Sequence, residues 1–343
     1  MIRQGAGSGK LILFGEHAAV YGFPAIGVPL PFQTSLCWTA AESTPIEQKN
    51  IGSKKPNSTV KTPDEVGEDR RVFVKLLKKL KSEVRDLDNL ESGVWRRISG
   101  VPRTGGFGSS AALCVAISRI ALNKPMEGYD VQVHSLASRL ETLFHGKTSG
   151  IDTGMACDNG ASAWFKSPRG APERKAICIP KWHITYGAIP RTQSTADSIL
   201  QLEHRKTLLS MRELGKTATN FLRVIAPGSP PENFANSASK LVNHAQEILA
   251  SLCLSNPTLD KIFELARKCG ASGGKLSGGG SGGAFFICAP SRKIRDEILR
   301  ILPCYLAEEG INLSFPLSPL DFSNHLAGSI NPKPVPVNCK SSV

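Results

Sequence analysis

The 343-residue chain is longer than one ordinary domain requires, which favours two packed lobes or one large domain. Hydrophobic residues make up 41% and charged residues 21%, a composition typical of a soluble globular protein. No stretch approaches the roughly 20 apolar residues of a membrane-spanning helix, and the first residues contain no apolar run of signal-peptide length. The nine cysteines are scattered singly, so we expect reduced, buried thiols. These features predict a cytoplasmic protein with no membrane partner.

The net charge of +13 favours anionic partners without choosing among nucleotides, nucleic acid and acidic metabolites. The densest basic stretch, Lys75–Lys81, alternates with apolar residues at helical spacing, which is typical of an amphipathic helix with a solvated lysine face. Nucleic-acid binding favours aromatic side chains among the basic ones. Aromatic residues are only 6% of this chain, so we expect no nucleic-acid partner.

The first half of the chain shows strand patterns, then helix patterns. The apolar runs Leu11–Phe14 and Ala25–Val28 predict strands that end at Gly15 and Pro29. The polar segment from residue 42 to about residue 71 predicts a surface loop. We expect helices over Val72–Leu80, Ser110–Leu122 and Val131–Phe144, and further strands over Ala161–Phe165, Ala176–Ile179 and Trp182–Ile189.

The second half is mainly helical, with a strand at Ala284–Cys288. The predicted helices cover about Thr195–Ile225, Asn236–Leu254, Leu259–Cys269 and Arg292–Leu302. The proline-containing tail, residues 331–343, is expected to be frayed. This order predicts the α+β class, with lobes at residues 1–185 and 186–330.

The segment Gly5–Leu11 has the look of a Walker A phosphate loop but lacks two of its residues. That motif requires Gly where the chain has Gln4, and Ser or Thr where it has Leu11. The hydroxyl that would bind Mg²⁺ is therefore absent, and the chain is not expected to be a P-loop NTPase.

A better phosphate loop is Gly105–Ala112, which leads into the alanine-rich helix. Glycines let the backbone approach an anion, and the helix start offers unpaired N–H groups and the positive end of its dipole. The alternative is an ordinary glycine turn with a serine cap.

A second glycine-rich segment, Gly273–Gly283, contains a formal G-x-G-x-x-G pattern. No strand clearly precedes it, so the dinucleotide-binding context is missing. A flexible linker is the alternative, but the apolar flanks favour a loop built into a core.

Two acids, Glu141 and Asp152, lie either side of a Ser-Gly turn. One could hold Mg²⁺ while the other accepts a hydroxyl proton. Each acid taken alone is more often a solvated side chain or a helix cap.

Together these segments resemble the GHMP kinase superfamily (galacto-, homoserine, mevalonate and phosphomevalonate kinases). Residues 9–22, GKLILFGEHAAVYG, look like its first motif in the mevalonate kinase form. The loop Gly105–Ala112 resembles the second motif and Lys275–Ala284 the third. The acids fall in the E-x₄-G-x₃-G-x-D spacing of mevalonate kinases.

The resemblance implies an amino-terminal lobe like ribosomal protein S5 domain 2 and a ferredoxin-like carboxy-terminal lobe. It implies ATP and Mg²⁺ as cofactors and mevalonate as the substrate. Dimers are common among mevalonate kinases, so a homodimer is compatible with it.

The same resemblance implies roles for single residues. Asp152 would be the catalytic base, with Lys10 beside it. Glu16, His17, Arg191 and Gly279 would border the substrate. Ser110 and Glu141 would bind Mg²⁺. The ATP phosphates would contact Gly105, Gly106, Gly108, Ser109, Ser110 and Ala111.

Other substrates remain open. Galactokinases also carry Gly-Glu-His but follow it with an acid, where this chain has Ala18 and Ala19. Phosphomevalonate kinases usually replace the histidine, and homoserine kinases fit Glu16 and His17 less well. A catalytically inactive binding or regulatory member is the alternative outside enzymes, but it would not need both acids, Lys10 and Ser110.

Overall fold

Two antiparallel sheets, one from each half of the chain, organise the molecule. The computed structural model describes residues 1–40, 68–84, 90, 93–126, 128–146, 148–167, 172–191, 205–228 and 233–322. Strands up to residue 176 build the first sheet, and strands from residue 183 onward build the second. The change of sheet falls between residues 176 and 183. The domain limits themselves stay a prediction.

The first sheet has the order β1-β2-β4-β5, with β3 also paired to β2. Its strands are β1 (Ile2–Phe14), β2 (Ala25–Thr39), β3 (Val94–Ser99), β4 (Ser162–Phe165) and β5 (Glu173–Ala176). A 3₁₀ turn, Ala18–Tyr21, follows β1. The helices of this half are α1 (Glu68–Glu83), α2 (Ser109–Ala121), α3 (Val131–His145) and α4 (Ile151–Cys157).

Helix α2 packs directly on the glycines of β1. A Cβ atom on Gly5 would lie 2.1 Å from the carbonyl oxygen of Ala116, and one on Gly7 would lie 2.2 Å from that of Ala112. These glycines therefore permit close packing of helix on strand. The segment that looked like a Walker A loop is a strand, which agrees with its exclusion.

The second sheet has the order β7-β8-β6-β9. With two helical crossovers, this is the βαββαβ arrangement of a ferredoxin-like fold. The α+β class and the two-lobe architecture are thus confirmed. The elements are β6 (His183–Ile189), α5 (Arg205–Val224), α6 (Phe234–Ser251), α7 (Pro257–Lys268), β7 (Gly273–Leu276), β8 (Gly283–Ala289), α8 (Arg292–Glu308) and β9 (Phe315–Leu320).

The prediction that the second strand ends at Pro29 is wrong, because β2 continues to Thr39. Its pairing with β4 stops at Gly27 and its pairing with β3 begins at Ser35. Between these points β1 is the only strand paired with β2 among the described residues, so a residue without an N–H is tolerated there.

Two other strand predictions are wrong. The strand expected at residues 176–179 instead ends at Ala176, because pairing with β4 selects Glu173–Ala176, a charged strand at the sheet edge. The second glycine-rich segment does contain a strand, β7, which is buried and pairs with β8. Helix α8 extends to Glu308, beyond its predicted end.

Some predictions fall on residues 41–67, 192–204 and 323–343, outside the part of the chain that the structure describes. The described cysteines are free, and five of these eight are buried, but the prediction of burial is wrong for Cys178, Cys253 and Cys304, which are exposed. Within the described ranges, none of the helices combines the length and apolar character needed to cross a membrane.

Candidate active site

Lys10 and Asp152 form an ion pair where β1 meets the first turn of α4. Their charged atoms, Nζ and Oδ1, are 3.1 Å apart. The Lys10 side chain is 5% exposed, whereas that of Asp152 is 42% exposed. The carboxylate therefore faces solvent with a buried cation behind it, an arrangement suited to accepting a proton from a small molecule.

The first glycine-rich loop wraps around the same lysine. The backbone N–H of Lys10 donates to the carbonyl of Phe107 at 2.9 Å. Gly106 and Gly108 have φ angles of 69° and 81°, which favour glycine. A Cβ atom on Gly108 would lie 2.9 Å from Cγ of Lys10.

Gly108 is also the residue that immediately precedes α2. Ser109, Ser110 and Ala111 form the first turn of that helix, whose unpaired N–H groups can bind an anion. Gly105 packs against the ring of Phe107. The predicted nucleotide-binding residues are thus brought together beside Lys10.

Glu141, at the end of α3, lies almost fully buried beside Asp152. Its carboxylate accepts hydrogen bonds from the hydroxyls of Thr148, at 3.0 Å, and Ser110. Burial raises the pKa of Glu141 to about 8, with a further increase from the negative charge of Asp152. A cation bound here would remove the cost of ionising this carboxyl group.

The oxygen donors of Glu141 and Ser110 suit Mg²⁺. No cluster of three or more His, Cys, Asp or Glu side chains able to hold a metal occurs among the described residues. Mg²⁺ usually binds through one or two carboxylates together with substrate phosphates, so the residues present fit this ion when a nucleotide supplies the rest.

Glu16 and His17 follow β1 and contact the second glycine-rich loop. Glu16 accepts a hydrogen bond from Lys275 on β7, and both side chains are buried. His17 bonds the backbone of Gly278 and Gly279, and burial lowers its pKa to about 4, so the ring is neutral near pH 7. Oε2 of Glu16 and Nε2 of His17 are buried and have no hydrogen-bond partner among the described residues.

The second glycine-rich loop is fixed to β1 rather than being a linker. The hydroxyl of Ser277 accepts from the N–H of Ile12 and donates to its carbonyl, each at 2.9 Å. Four glycines of the loop and Ser281 have positive φ angles, so its tight path depends on residues that tolerate that conformation.

Arg191 lies just after β6, between the two glycine-rich loops. A Cβ atom on Gly106 would lie 2.5 Å from its Nη2, and one on Gly283 would lie 2.7 Å from its Nε. The surrounding loops partly desolvate the exposed Arg191 side chain and so lower its pKa, and the nearby charge of Asp152 opposes this. The predicted substrate-binding cation therefore lies near the predicted base.

Sequence reasoning missed three contributors to this arrangement: Thr148, Lys275 and Ser277. Lys275 lies in a glycine-rich segment, where a lysine side chain is normally expected to be exposed to solvent. Its partner Glu16 is 259 positions away in sequence, so no local pattern connects the two.

The family model for the N-terminal domain of GHMP kinases matches residues 71–160, and the model for their C-terminal region matches residues 233–308. A mevalonate kinase of Thermococcus gammatolerans is 27% identical over 303 residues, covering 83% of this chain and 88% of the relative.

Solved structures have the same fold. The L. major mevalonate kinase, in complex with R-mevalonate, has a TM-score of 0.68 at 21% identity over 88% of this chain and 91% of its own. The Methanococcus jannaschii mevalonate kinase has a TM-score of 0.67 at 20% identity over 94% of this chain and 97% of its own.

Proposed function

Because two segments of the chain match the family models of GHMP kinases, we propose that it transfers the terminal phosphoryl group of ATP to the hydroxyl of mevalonate, giving 5-phosphomevalonate for isoprenoid precursor synthesis. The observation that carries the proposal is the pair Lys10–Asp152, set beside a glycine loop and the start of α2. On this proposal Asp152 is the base, Lys10 is the cation beside it, and the start of α2 is the phosphate-binding helix end.

Phosphoryl transfer needs little from the protein beyond alignment of the reactants and neutralisation of phosphate charge. A bond forms between the substrate oxygen and the terminal phosphorus of ATP while the bond from that phosphorus to the bridging oxygen breaks. Asp152 takes the proton that the hydroxyl loses. Lys10 then offsets negative charge on the transferring group, from a buried position that needs no rearrangement.

The remaining residues divide between nucleotide, metal and substrate. The loop Gly105–Ala111 would bind the phosphates of ATP through backbone N–H groups. Ser110 and Glu141 would hold Mg²⁺, which when bound neutralises phosphate charge.

On the substrate side, Arg191 would supply a cation for the carboxylate of mevalonate. Glu16, His17 and the backbone at Gly279, to which His17 is hydrogen-bonded, would border the substrate. Support comes from relatives named mevalonate kinase that match most of the chain. Cytoplasmic location and a homodimer remain predictions.

The test is a coupled assay of ADP release with ATP and Mg²⁺, offering mevalonate, phosphomevalonate, galactose and homoserine in separate reactions. ADP release with mevalonate alone, at kcat/KM at least ~10²-fold above the other alcohols, is expected, since sites that pair buried polar groups with a substrate discriminate strongly. Turnover of another alcohol instead would support the assignment as a kinase and would show that the proposed substrate is wrong. No turnover with any of them would favour a binding or regulatory role.

A further inference from the structure

One face of α3 carries three polar side chains toward the turn that leads into Asp152. His134, Ser138 and Glu141 are spaced by four and then three residues, which places them on the same side of the helix. Glu141 belongs to the site described above. The other two form hydrogen bonds with the turn and with the start of α4.

His134 is fully buried and holds the carbonyl of Gly150. Its Nε2 lies 2.6 Å from that oxygen, and its Nδ1 lies 3.0 Å from the hydroxyl of Tyr129. A carbonyl oxygen can only accept, so Nε2 must carry the proton. Burial lowers the pKa of His134, so the ring is neutral and its Nδ1 accepts from Tyr129.

Gly150 is the residue from which α4 starts. Its φ angle is 73°, and its carbonyl also accepts from the N–H of Gly154 at 2.9 Å and the hydroxyl of Thr153 at 3.1 Å. That hydroxyl lies 2.7 Å from the hydroxyl of Ser138. Asp152 is enclosed between these anchored residues, since it lies two positions after Gly150 and one before Thr153.

Tyr129 is itself braced against the other end of α4. The guanidinium of Arg174 lies 5.2 Å from the centre of the Tyr129 ring. Arg174 also donates two hydrogen bonds, at 2.6 and 2.8 Å, to the buried carboxylate of Asp158, the residue that ends α4. The short helix is therefore held at both ends by side chains that do not reach the reacting groups.

We propose that His134 and Ser138 are positioning residues for Asp152: they fix the first turn of α4 and so set where the carboxylate meets the substrate hydroxyl. The proposal rests on the proposed role of Asp152 as base. Both residues act through backbone and hydroxyl contacts, and neither touches substrate or nucleotide. Small errors in such placement are costly, because a misplacement of about 1 Å can cost ~10²-fold in rate.

The experiment compares His134→Leu with His134→Gln, because the side-chain amide of Gln can still donate to the Gly150 carbonyl. For each purified variant, kcat, the KM values for ATP and mevalonate, the Tm and hydrogen–deuterium exchange over residues 148–157 are measured. His134→Leu is expected to lower kcat by ~10- to 100-fold with both KM values within ~3-fold of wild type. His134→Gln should recover most of the rate, and faster exchange over 148–157 should appear in the Leu variant only.

Ser138→Ala is the second variant, with Ser135→Ala as its control because Ser135 faces Arg139 on the exposed side of α3. Ser138→Ala should lower kcat by several-fold and leave both KM values unchanged, whereas the control should match wild type. If His134→Leu does not fold, this pair carries the test. Wild-type kcat in folded His134→Leu or in Ser138→Ala overturns the proposal, as does a rate loss that Gln fails to recover or a parallel rise of both KM values.

Failure of the proposed base can be separated from failure of this proposal. Normal turnover in Asp152→Asn would show that Asp152 is not the base, independently of the results for His134 and Ser138. Unchanged hydrogen–deuterium exchange over residues 148–157 in His134→Leu would show that His134 does not fix the start of α4, independently of the role of Asp152.

Discussion

Lys275 on β7 donates a hydrogen bond to Glu16 at the end of β1, and the two side chains are 0% and 2% exposed. The pair joins the two halves of the chain beside the site. A second bond from Lys275 goes to the carbonyl of Leu276 at 2.7 Å, and its ammonium lies 5.6 Å from the ring centre of Phe286. Burial lowers the pKa of Lys275, whereas the contact with the Glu16 carboxylate favours the charged form of the lysine.

Lys275→Met should therefore destabilise the protein strongly. Removing one partner of a buried ion pair leaves an uncompensated charge, at a cost of about 3–5 kcal/mol. The measurement is the free energy of unfolding from urea titration. The double variant Lys275→Met with Glu16→Gln should recover part of the loss, because no buried charge remains. Equal stability of wild type and the single variant would show that the pair is not held as an ion pair.

Gly108→Val should weaken nucleotide binding. The φ angle of 81° is unfavourable for a β-branched residue, and the new Cβ would lie 2.9 Å from Cγ of Lys10. The expected result is a rise of at least ~10-fold in the Kd for ATP, measured by titration calorimetry, comparable to the loss of one charge-assisted hydrogen bond.

Gly228→Val is the matched control for this experiment, because Gly228 has a φ angle of 90° but nothing within 4 Å of an added Cβ. It carries similar backbone strain without touching the site, so its ATP affinity should equal that of wild type. Wild-type affinity in Gly108→Val would place the nucleotide elsewhere.

Much of this architecture could be predicted from local pattern. The apolar period of α2 and α3 and the alternation of strand and helix locate most elements within a few residues. The short elements were not predicted, because β7 consists of two glycines, a lysine and a leucine, and α4 has only seven residues including Gly154. Their conformations come from pairing with β8 and from the anchors on α3, and neither of these is a local property of the sequence.

The site could be predicted in part. The spacing of Glu141 and Asp152 and the glycine loops indicated which residues belong together, because motifs preserve spacing. The pairs Glu16–Lys275 and Ile12–Ser277 could not be predicted, because each joins residues more than 250 positions apart. The roles assigned to single residues remain predictions that the variants below decide.

Glu141 should release a proton when Mg²⁺ and nucleotide bind. Its pKa is raised to about 8, so at pH 7 the free protein holds this carboxyl protonated, whereas a metal ligand must be ionised. Affinity for Mg²⁺-ATP should therefore rise with pH up to about 8 and then level off. Calorimetry at pH 7 in buffers of different ionisation enthalpy measures the protons released.

The control for this measurement is Glu141→Gln, which cannot release that proton and subtracts the contribution of ATP itself. Its proton release should be lower than that of wild type by close to one, and it should need a higher Mg²⁺ concentration. Equal proton release in both proteins would remove Glu141 from the metal site.

Arg191→Ala should mainly raise the KM for mevalonate. A charge-assisted hydrogen bond to a carboxylate contributes about 1.5–3 kcal/mol, which corresponds to ~10- to 100-fold in binding. Because such a contact is equally present before and during the reaction, kcat should change little. Arg191→Lys keeps the charge but lacks the paired donors of a guanidinium group, so its KM for mevalonate should fall between those of wild type and Arg191→Ala. If the KM for ATP rises instead, Arg191 serves the phosphates, which its position against Gly106 would also allow.

Asp152→Asn should lower kcat by ~10²-fold or more, the usual loss when a general base is removed. The substitution keeps the shape of the side chain but cannot take the proton that the substrate hydroxyl must lose. ATP affinity should hardly change, because on the proposed mechanism Asp152, which is paired with Lys10, contacts the acceptor alcohol and not the nucleotide. Asp260→Asn, an exposed acid in the first turn of α7, is the control and should keep wild-type kinetics. The opposite pattern, normal kcat with weakened ATP binding, would mean that Asp152 serves the nucleotide. Direct attack by the hydroxyl, aligned by Lys10 and without a protein base, would then be the better mechanism.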